Sequence, residues 1–572
     1  MISTDQLAGP SLPISEEIHS EKHRQPGESF AESTTRIADA LKDDHDHFLA
    51  FRDILRNMRF LPGGRVQSAV GATRRVTPYN CFVSPTISDS MTGIMDVAAK
   101  AAETMRLGGG IGYDFSPIRP YKDRIKSLDS SASGPVSFMG IFDAICKTIS
   151  SAGHRRGAQM GVLRVDHPDI MEFIRAKHNS DNLTNFNISV GITDEFMEAV
   201  KAGSSFDLRF GGKVYDTVQA RDLWDHIMRS NWDWAEPGVL FIDRINEMNN
   251  LWYCENIAAT NPCGEQPLPP NGACLLGSFN LARYIYREHS GQHRLALSTL
   301  HKDVRHVVRA MDNVVDRAIY PLPEQEAEAK AKRRMGLGVT GVANALEAIG
   351  HPYGTPGFCQ ALDTILRGFT DVIYFESACL AYEKGSFPLF DAEQFMKGKF
   401  VKRLPIETQR LISTYGLRNS HLTSIAPTGS ISLTADNVSS GLEPVFAVSS
   451  DRTINTPTGP RVETITDYGK RVFGVTPRTA NEVTAEEHVK VLTIASKWMD
   501  SAVSKTCNVG DDVTWEQFKG IYMSAYEGGA KGCTTFRMAG KRMGILTETK
   551  EPVETGGAAC VYDPTTGIRS CE

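Results

Sequence analysis

Asn261-Pro262-Cys263-Gly264-Glu265 sets an amide, a thiol and a carboxylate at alternate positions. On extended backbone, alternate residues point to one side, so all three side chains can face one reactant. Prolines and glycines between positions 262 and 272 exclude regular helix and stiffen the segment, which places Cys263 and Glu265 on a loop. A thiol held beside a base suits covalent or radical chemistry, and the same pattern fits an ordinary cysteine nucleophile. A second thiol, Cys274, follows in Ala273-Cys274-Leu275-Leu276-Gly277-Ser278-Phe279-Asn280. A cysteine taken singly is most often a small buried apolar side chain, so these positions gain meaning only from their companions.

Other strings are weaker. Gly336-Leu337-Gly338-Val339-Thr340-Gly341 matches the G-x-G-x-x-G pattern of dinucleotide-binding folds, but the residues before it are basic rather than a buried strand. Close helix packing through glycines is the expectation there. Lys330-Ala331-Lys332-Arg333-Arg334 follows Glu324, Glu326 and Glu328 and reads as a solvated helix face rather than a polyphosphate patch. Asp43, His45, Asp46 and His47 read as a polar helix start rather than a metal site, and no H-E-x-x-H, paired C-x-x-C or D-x-H-x-x-G string occurs.

The elements that must position the loop follow an α/β rhythm from residue 61 to 540. Phe186, Ile188, Val190 and Ile192 alternate as a strand, Thr193 caps a helix with Asp194 and Glu195 in its first turn, and Gly203 ends it. Leu163-Arg164-Val165 forms another strand, with Asp166 as cap, Pro168 in the first turn, and Ile170, Phe173 and Ile174 on one helix face. A third helix runs from Ser90 to the glycines at 108–110, and its methionines read as packing. Residues 1–60 read as a disordered start followed by a short helical region, and residues 541–572 as a mobile tail.

The 572 residues are 41% hydrophobic, enough for a large core, and the net charge of −6 argues against a nucleic-acid groove. The polar first thirty residues and the absence of any run of about 18 apolar residues predict a cytoplasmic chain off the membrane. Eleven cysteines in such a chain are expected to be mostly reduced thiols.

Several segments in order carry a resemblance. They are Asn80-Cys81-Phe82-Val83, Gly108-Gly109-Gly110-Ile111-Gly112, Gly157-Ala158-Gln159-Met160-Gly161 with Asp166-His167-Pro168-Asp169-Ile170, and the loop around Cys263. Arg334-Met335-Gly336-Leu337-Gly338-Val339 and Ala426-Pro427-Thr428-Gly429-Ser430-Ile431-Ser432 with Gly441-Leu442-Glu443-Pro444 complete the set. Over residues 60 to 540 the chain resembles the catalytic subunit of ribonucleotide reductases. The resemblance implies an α/β fold, a ten-stranded barrel with a finger loop inside it. It implies a thiyl radical on Cys263 that takes the 3′-hydrogen of a ribonucleotide, Glu265 as general base and Asn261 orienting the sugar. Cys81 and Cys274 match the dithiol oxidised to a disulfide in each turnover, adjacent in space though far apart in sequence. Thr428, Gly429, Ser430, Ile431 and Ser432 match the substrate phosphate loop, and Gly109 and Gly110 the approach to the sugar or merely the end of a helix. Cys560 and Cys571 in the tail match a shuttle that passes electrons from a thioredoxin- or glutaredoxin-like reductant.

Relatives that draw their radical from a separate subunit relay it through adjacent tyrosines. Here the matching segment is Lys531-Gly532-Cys533-Thr534-Thr535-Phe536-Arg537. That segment, with the step from Cys263 to Cys274, resembles the class II enzymes, which generate a 5′-deoxyadenosyl radical from adenosylcobalamin. The alternatives are a class I large subunit that holds no cofactor and takes its radical from a metal-containing partner subunit, and a non-catalytic nucleotide-binding barrel. The first 60 residues are too short for the ATP-cone domain of many relatives. Asp89 and Lys177, the latter in Lys177-His178-Asn179-Ser180-Asp181-Asn182, resemble the site for a deoxynucleotide or ATP effector, which implies a homodimer.

Overall fold

A computed structural model describes residues 8–125, 129–149, 157–179, 181–456, 459–510 and 512–537. Eleven strands frame the interior: β1 (Phe60–Pro62), β2 (Cys81–Val83), β3 (Gly110–Asp114), β4 (Gln159–Arg164), β5 (Phe186–Ile192), β6 (Gly238–Phe241), β7 (Ala273–Cys274), β8 (Leu276–Asn280), β9 (Gly336–Thr340), β10 (Thr506–Val509) and β11 (Gly532–Arg537). They form an eight-stranded sheet in the order β7-β2-β3-β4-β5-β6-β11-β10 and a three-stranded sheet in the order β1-β8-β9. Strands β2 to β6 are parallel, and antiparallel partners β7 and β11 flank them. Among the described residues the sheets do not close into a continuous ring. They adjoin where Leu275 separates β7 from β8, and single bridges, Leu337 to Thr423 and Ile425 to Val503, lead from β9 toward β10.

Local sequence explains many of the connecting helices. The helix Asp194–Ala202 starts where the Thr193 hydroxyl accepts from the Phe196 N–H and stops at Gly203 in the left-handed region. The helix Met91–Arg106 begins just after Ser90, as its sequence predicts, and there the Ser90 hydroxyl accepts from the Gly93 N–H. The helix Ile170–Arg175 differs: its N-terminal flank is Asp169, and Asp166 instead accepts from the Arg164 guanidinium. The local sequence points to a start one turn earlier, because an Asp before Pro168 looks like a cap while the chain still turns. The N-terminal region holds three helices, Pro13–His23, Phe30–Leu41 and His45–Arg56, the first of them ahead of the periodic positions that begin at Ile37. Ile37, Leu41, Phe51 and Ile54 join the core built around the long helices Leu297–Arg317 and Pro356–Lys384. Asp44 caps the third helix, which agrees with a polar helix start at 43–47, and Asp43 pairs with Arg309 at 2.9 Å and Lys384 at 2.7 Å.

Two sequence expectations fail for one reason, burial. Lys330 is solvated and pairs with Glu326, but Lys332, Arg333 and Arg334 are buried, not a solvent face. Arg333 meets Asp312 and Asp316, while Lys332 and Arg334 converge on Glu255. These pairings hold charges that would otherwise be costly to bury. Gly336 and Gly338 do not pack helices but lie within β9 itself, and only Gly341 follows the strand, at the start of the helix Val342–Ala348. A Cβ at Gly336 would stand 2.3 Å from Gln266 Nε2, and one at Gly338 2.1 Å from the Ser424 carbonyl oxygen.

Gly112 on β3 does the same work from the other wall. A Cβ there would lie 1.8 Å from the carbonyl oxygen of Thr260. Strand and hairpin touch backbone to backbone, with no flexible side chain to yield. Gly112→Ala is therefore expected to destabilise the protein by at least about 1–3 kcal/mol, the usual range for overpacking, measured by urea unfolding.

Candidate active site

The short antiparallel ladder Ala259–Thr260 with Pro267–Leu268 forms a hairpin whose tip is residues 261–266. The Asn261 N–H donates to the Gln266 carbonyl at 3.1 Å, and the Gly264 N–H donates to the Asn261 carbonyl at 3.1 Å. Asn261 braces the turn from within: its Oδ1 accepts from the Gln266 N–H at 2.9 Å and from the Thr260 hydroxyl at 3.2 Å. Its buried Nδ2 has no hydrogen-bond partner among the described residues. Asn187 Nδ2 donates to the Pro262 carbonyl at 2.9 Å, which ties the tip to β5. Cys263 is half-buried, and Gly264 at φ +83° has open space where a Cβ would stand. The proline-bounded loop expected from sequence is thus a braced hairpin with a thiol at its tip.

Cys81 on β2 and Cys274 on β7 are directly opposite each other in the antiparallel ladder. Opposed residues of such ladders have Cα atoms about 4.5–5.5 Å apart, inside the roughly 4.4–6.8 Å span of disulfides. Both thiols are buried. Burial, then the nearby Cys81 and Glu265, push the Cys274 thiol well above the ordinary cysteine range, so it stays protonated at neutral pH. Gly110 is the register partner of Cys81 on the other side, and a Cβ there would come within 3.2 Å of Pro262 and 3.4 Å of Cys81 Sγ. A side chain at 110 would therefore push the finger loop off the thiol pair.

One cleft of about 460 Å³, its open mouth included, is lined by Cys81, Glu265, Thr428, Ser430 and Ile431. Thr428, at φ +55°, leads into the helix Gly429–Thr434. Its hydroxyl accepts from the Gly441 N–H at 2.7 Å and meets Thr340 at 2.9 Å, so it braces the turn against Gly441-Leu442-Glu443-Pro444. Ser432 turns away toward the Gly429 carbonyl and Ser440. Of the five residues expected at a phosphate loop, Thr428, Ser430 and Ile431 line the cleft, and Gly429 and Ser432 do not.

The remaining expectations fall elsewhere. The Gly108 N–H closes the preceding helix on Met105, and Gly109 packs against the Phe82 ring. Asp89 is paired with Arg119 at 2.8 Å, and Lys177 with Glu236 at 2.7 Å; neither lines the cleft. Cys560, Cys571 and Ser180 lie outside the described residues. Sequence reasoning missed Gly63 and Gly64 on the cleft wall, although Leu61-Pro62-Gly63-Gly64 is a turn signal. At β11, Thr534, Thr535 and Phe536 occupy the stretch, and the Thr535 hydroxyl meets the buried Tyr522 hydroxyl at 2.9 Å.

The family model described as "Ribonucleotide reductase, barrel domain" matches residues 79–536. A Mycobacterium tuberculosis protein named vitamin B12-dependent ribonucleoside-diphosphate reductase is 33% identical, over 97% of this chain and 82% of its own length. A Thermoplasma acidophilum protein of the same name is 33% identical, over 88% of this chain and 67% of its own length. A vitamin B12-dependent ribonucleotide reductase of Streptomyces clavuligerus is 28% identical, over 82% of this chain and 58% of its own length.

Proposed function

Because the chain belongs to the ribonucleotide reductase family, we propose that it reduces ribonucleotides to 2′-deoxyribonucleotides through a radical on Cys263, with adenosylcobalamin as its cofactor. The observation that carries this is the single cleft in which Cys81 and Glu265 meet Thr428, Ser430 and Ile431, with Cys274 paired to Cys81. Hydroxide is a poor leaving group, and a radical at C3′ makes its loss as water feasible. The Cys263 thiyl takes the 3′-hydrogen, and Glu265 accepts the 3′-hydroxyl proton. The protonated dithiol donates a proton to the departing 2′-hydroxyl and gives up two electrons. The C2′–O bond breaks, a C2′–H bond forms, and Cys81 and Cys274 end as a disulfide. The 3′-hydrogen then returns from Cys263, which restores the thiyl, and Glu265 gives its proton back to the 3′-oxygen. Asn261 Nδ2, unpartnered and buried, is the donor for a sugar hydroxyl. Thr428, Ser430 and Ile431 take the phosphates, and the backbone at Gly110 admits the ribose edge beside Cys81.

Support for the cofactor comes from the names of the relatives and from Thr534-Thr535-Phe536 at the place where a tyrosine relay would run. The finger loop fits a bulky group: Cys263 is half-buried and the position beside it, Gly264, opens onto free space. Bound there, adenosylcobalamin supplies the radical. Further parts of the proposal are a ten-stranded barrel, in which the single bridges at Thr423 and Val503 continue the ladders, and a tail shuttle through Cys560 and Cys571 fed by a thioredoxin- or glutaredoxin-like protein. An effector site near Asp89 and Lys177 in a homodimer completes it.

The chain alone, supplied with adenosylcobalamin, a ribonucleoside diphosphate or triphosphate and a small dithiol, is expected to release 2′-deoxynucleotide. Turnover that appears only after a metal-containing subunit is added would replace the cofactor assignment. No turnover under either condition would leave a nucleotide-binding barrel.

A further inference from the structure

Glu265 is gripped through its main chain from two distant segments. Its carbonyl oxygen accepts from the Ser424 hydroxyl at 2.9 Å and from the Ala502 N–H at 2.9 Å, so both lone pairs are filled. The two donors belong to one rigid unit. The Ile425 N–H donates to the Ala502 carbonyl at 3.2 Å and the Ser504 N–H to the Ile425 carbonyl at 2.8 Å. Buried Asp500 locks the unit from beneath: its carboxylate accepts the N–H groups of Leu422 and Thr423 and the hydroxyl of Tyr374, and its own N–H donates to the Thr423 hydroxyl. Lys531, which immediately precedes β11, aims its buried ammonium at the carbonyls of Met499, Asp500 and Ser501.

We propose that Ser424, carried on this Asp500–Lys531 pedestal, is a positioning residue that fixes where the Glu265 carboxylate stands in the cleft. The inference rests on the assignment of Glu265 as general base. The physical argument is that a hairpin tip has few anchors of its own. The tip is held to the wall of the interior at Pro262 by Asn187 and at Glu265 by Ser424 and Ala502, while Gly264 between them faces open space. With the Glu265 carbonyl fixed by two bonds, its Cα–Cβ direction is fixed too, and only side-chain torsions remain. Loss of the Ser424 bond leaves one anchor, about which the peptide can rock. A base displaced by as little as about 1 Å can cost on the order of a hundredfold in rate.

The test compares Ser424→Ala with Ser424→Cys, which nearly keeps the volume but offers only a weak donor, in the full-length chain. Three quantities are read: kcat, nucleotide Kd by calorimetry, and amide hydrogen exchange at Ala502. Both variants are expected to lose about tenfold to a hundredfold in kcat, to hold Kd within about twofold, and to exchange the Ala502 amide faster. Unchanged kcat with unchanged Ala502 exchange overturns the proposal. So does a loss of kcat matched by an equal loss of affinity and of melting temperature, which is what a merely structural serine would give. Glu265→Gln, run in parallel, separates this from the underlying assignment. Full turnover in that variant would remove Glu265 as the base, whereas the exchange at Ala502 reports on the clamp whichever group takes the proton and whichever cofactor drives turnover.

Discussion

Cys263→Ser is expected to abolish turnover, a loss on the order of 10⁴-fold or more, while the protein keeps its fold and its affinity for nucleotide. The reason lies in the difference between the two hydrogens. A sulfur–hydrogen bond is weak enough for a thiyl to be formed and to exchange a hydrogen atom with a ribose carbon, whereas the stronger oxygen–hydrogen bond of serine makes the corresponding oxyl radical inaccessible. Cys263 is half-buried, the loop is braced by Asn261 and Asn187, and Gly264 beside it faces open space. A change of one atom at this position should therefore leave the melting temperature within about a degree or two, as for surface substitutions. Nucleotide binding by calorimetry together with product formation by chromatography checks the result. Substantial residual turnover would show that Cys263 does not carry the radical.

The second large effect concerns the Cys81–Cys274 pair. When the fully reduced protein carrying Cys560→Ser and Cys571→Ser is given substrate and cofactor without external reductant, it is expected to make about one deoxynucleotide per chain from the Cys81–Cys274 pair and then stop. Peptide mapping should find Cys81 joined to Cys274. The geometry needs little adjustment, because the two are already register partners in one ladder and strand pairing holds their Cα atoms at disulfide distance. Cys274→Ser and Cys81→Ser should each remove dithiol-supported multiple turnover, by on the order of 10³-fold or more, and yield no such disulfide. A disulfide between other cysteines after this limited reaction, for example at Cys507 and Cys533, would refute the assignment.

The two thiols also show how far sequence carried. The stiffness of the Cys263 loop, the helix start at Ser90, the Thr193 cap and the Gly203 stop are all legible, because each depends on residues within a few positions. The start of helix Ile170–Arg175 lies a turn beyond the expected one because Asp166 and Asp169 both satisfy the local rule for a cap, while Asp166 is taken up by Arg164 and Asp169 accepts from the distant Tyr121 N–H. Lys332, Arg333 and Arg334 were misjudged because a run of charges looks solvated unless their acidic partners, Glu255 and Asp312 among them, are known to converge from elsewhere. Gly336 and Gly338, expected to pack helices, lie in a strand that needs room for Gln266 and Ser424, and nothing in the local string says which wall faces them.

By itself, then, the sequence determined the reactive groups and the local geometry that stiffens them: a thiol and a carboxylate two residues apart in a loop that cannot become helix. Its motifs together also identified the family. Only the tertiary structure decided which distant residues meet. It set Cys81 against Cys274 across two strands, brought Thr428, Ser430 and Ile431 to the cleft of Glu265, and left Gly429 and Ser432 outside it. It also built the Ser424 and Ala502 clamp under the finger loop from segments that show no motif. Caps, turns and loop stiffness arise from bonds between near neighbours and so are written locally. Strand register, and the burial of a charge or a glycine against a partner wall, depend on packing summed over the whole chain, which no short window contains.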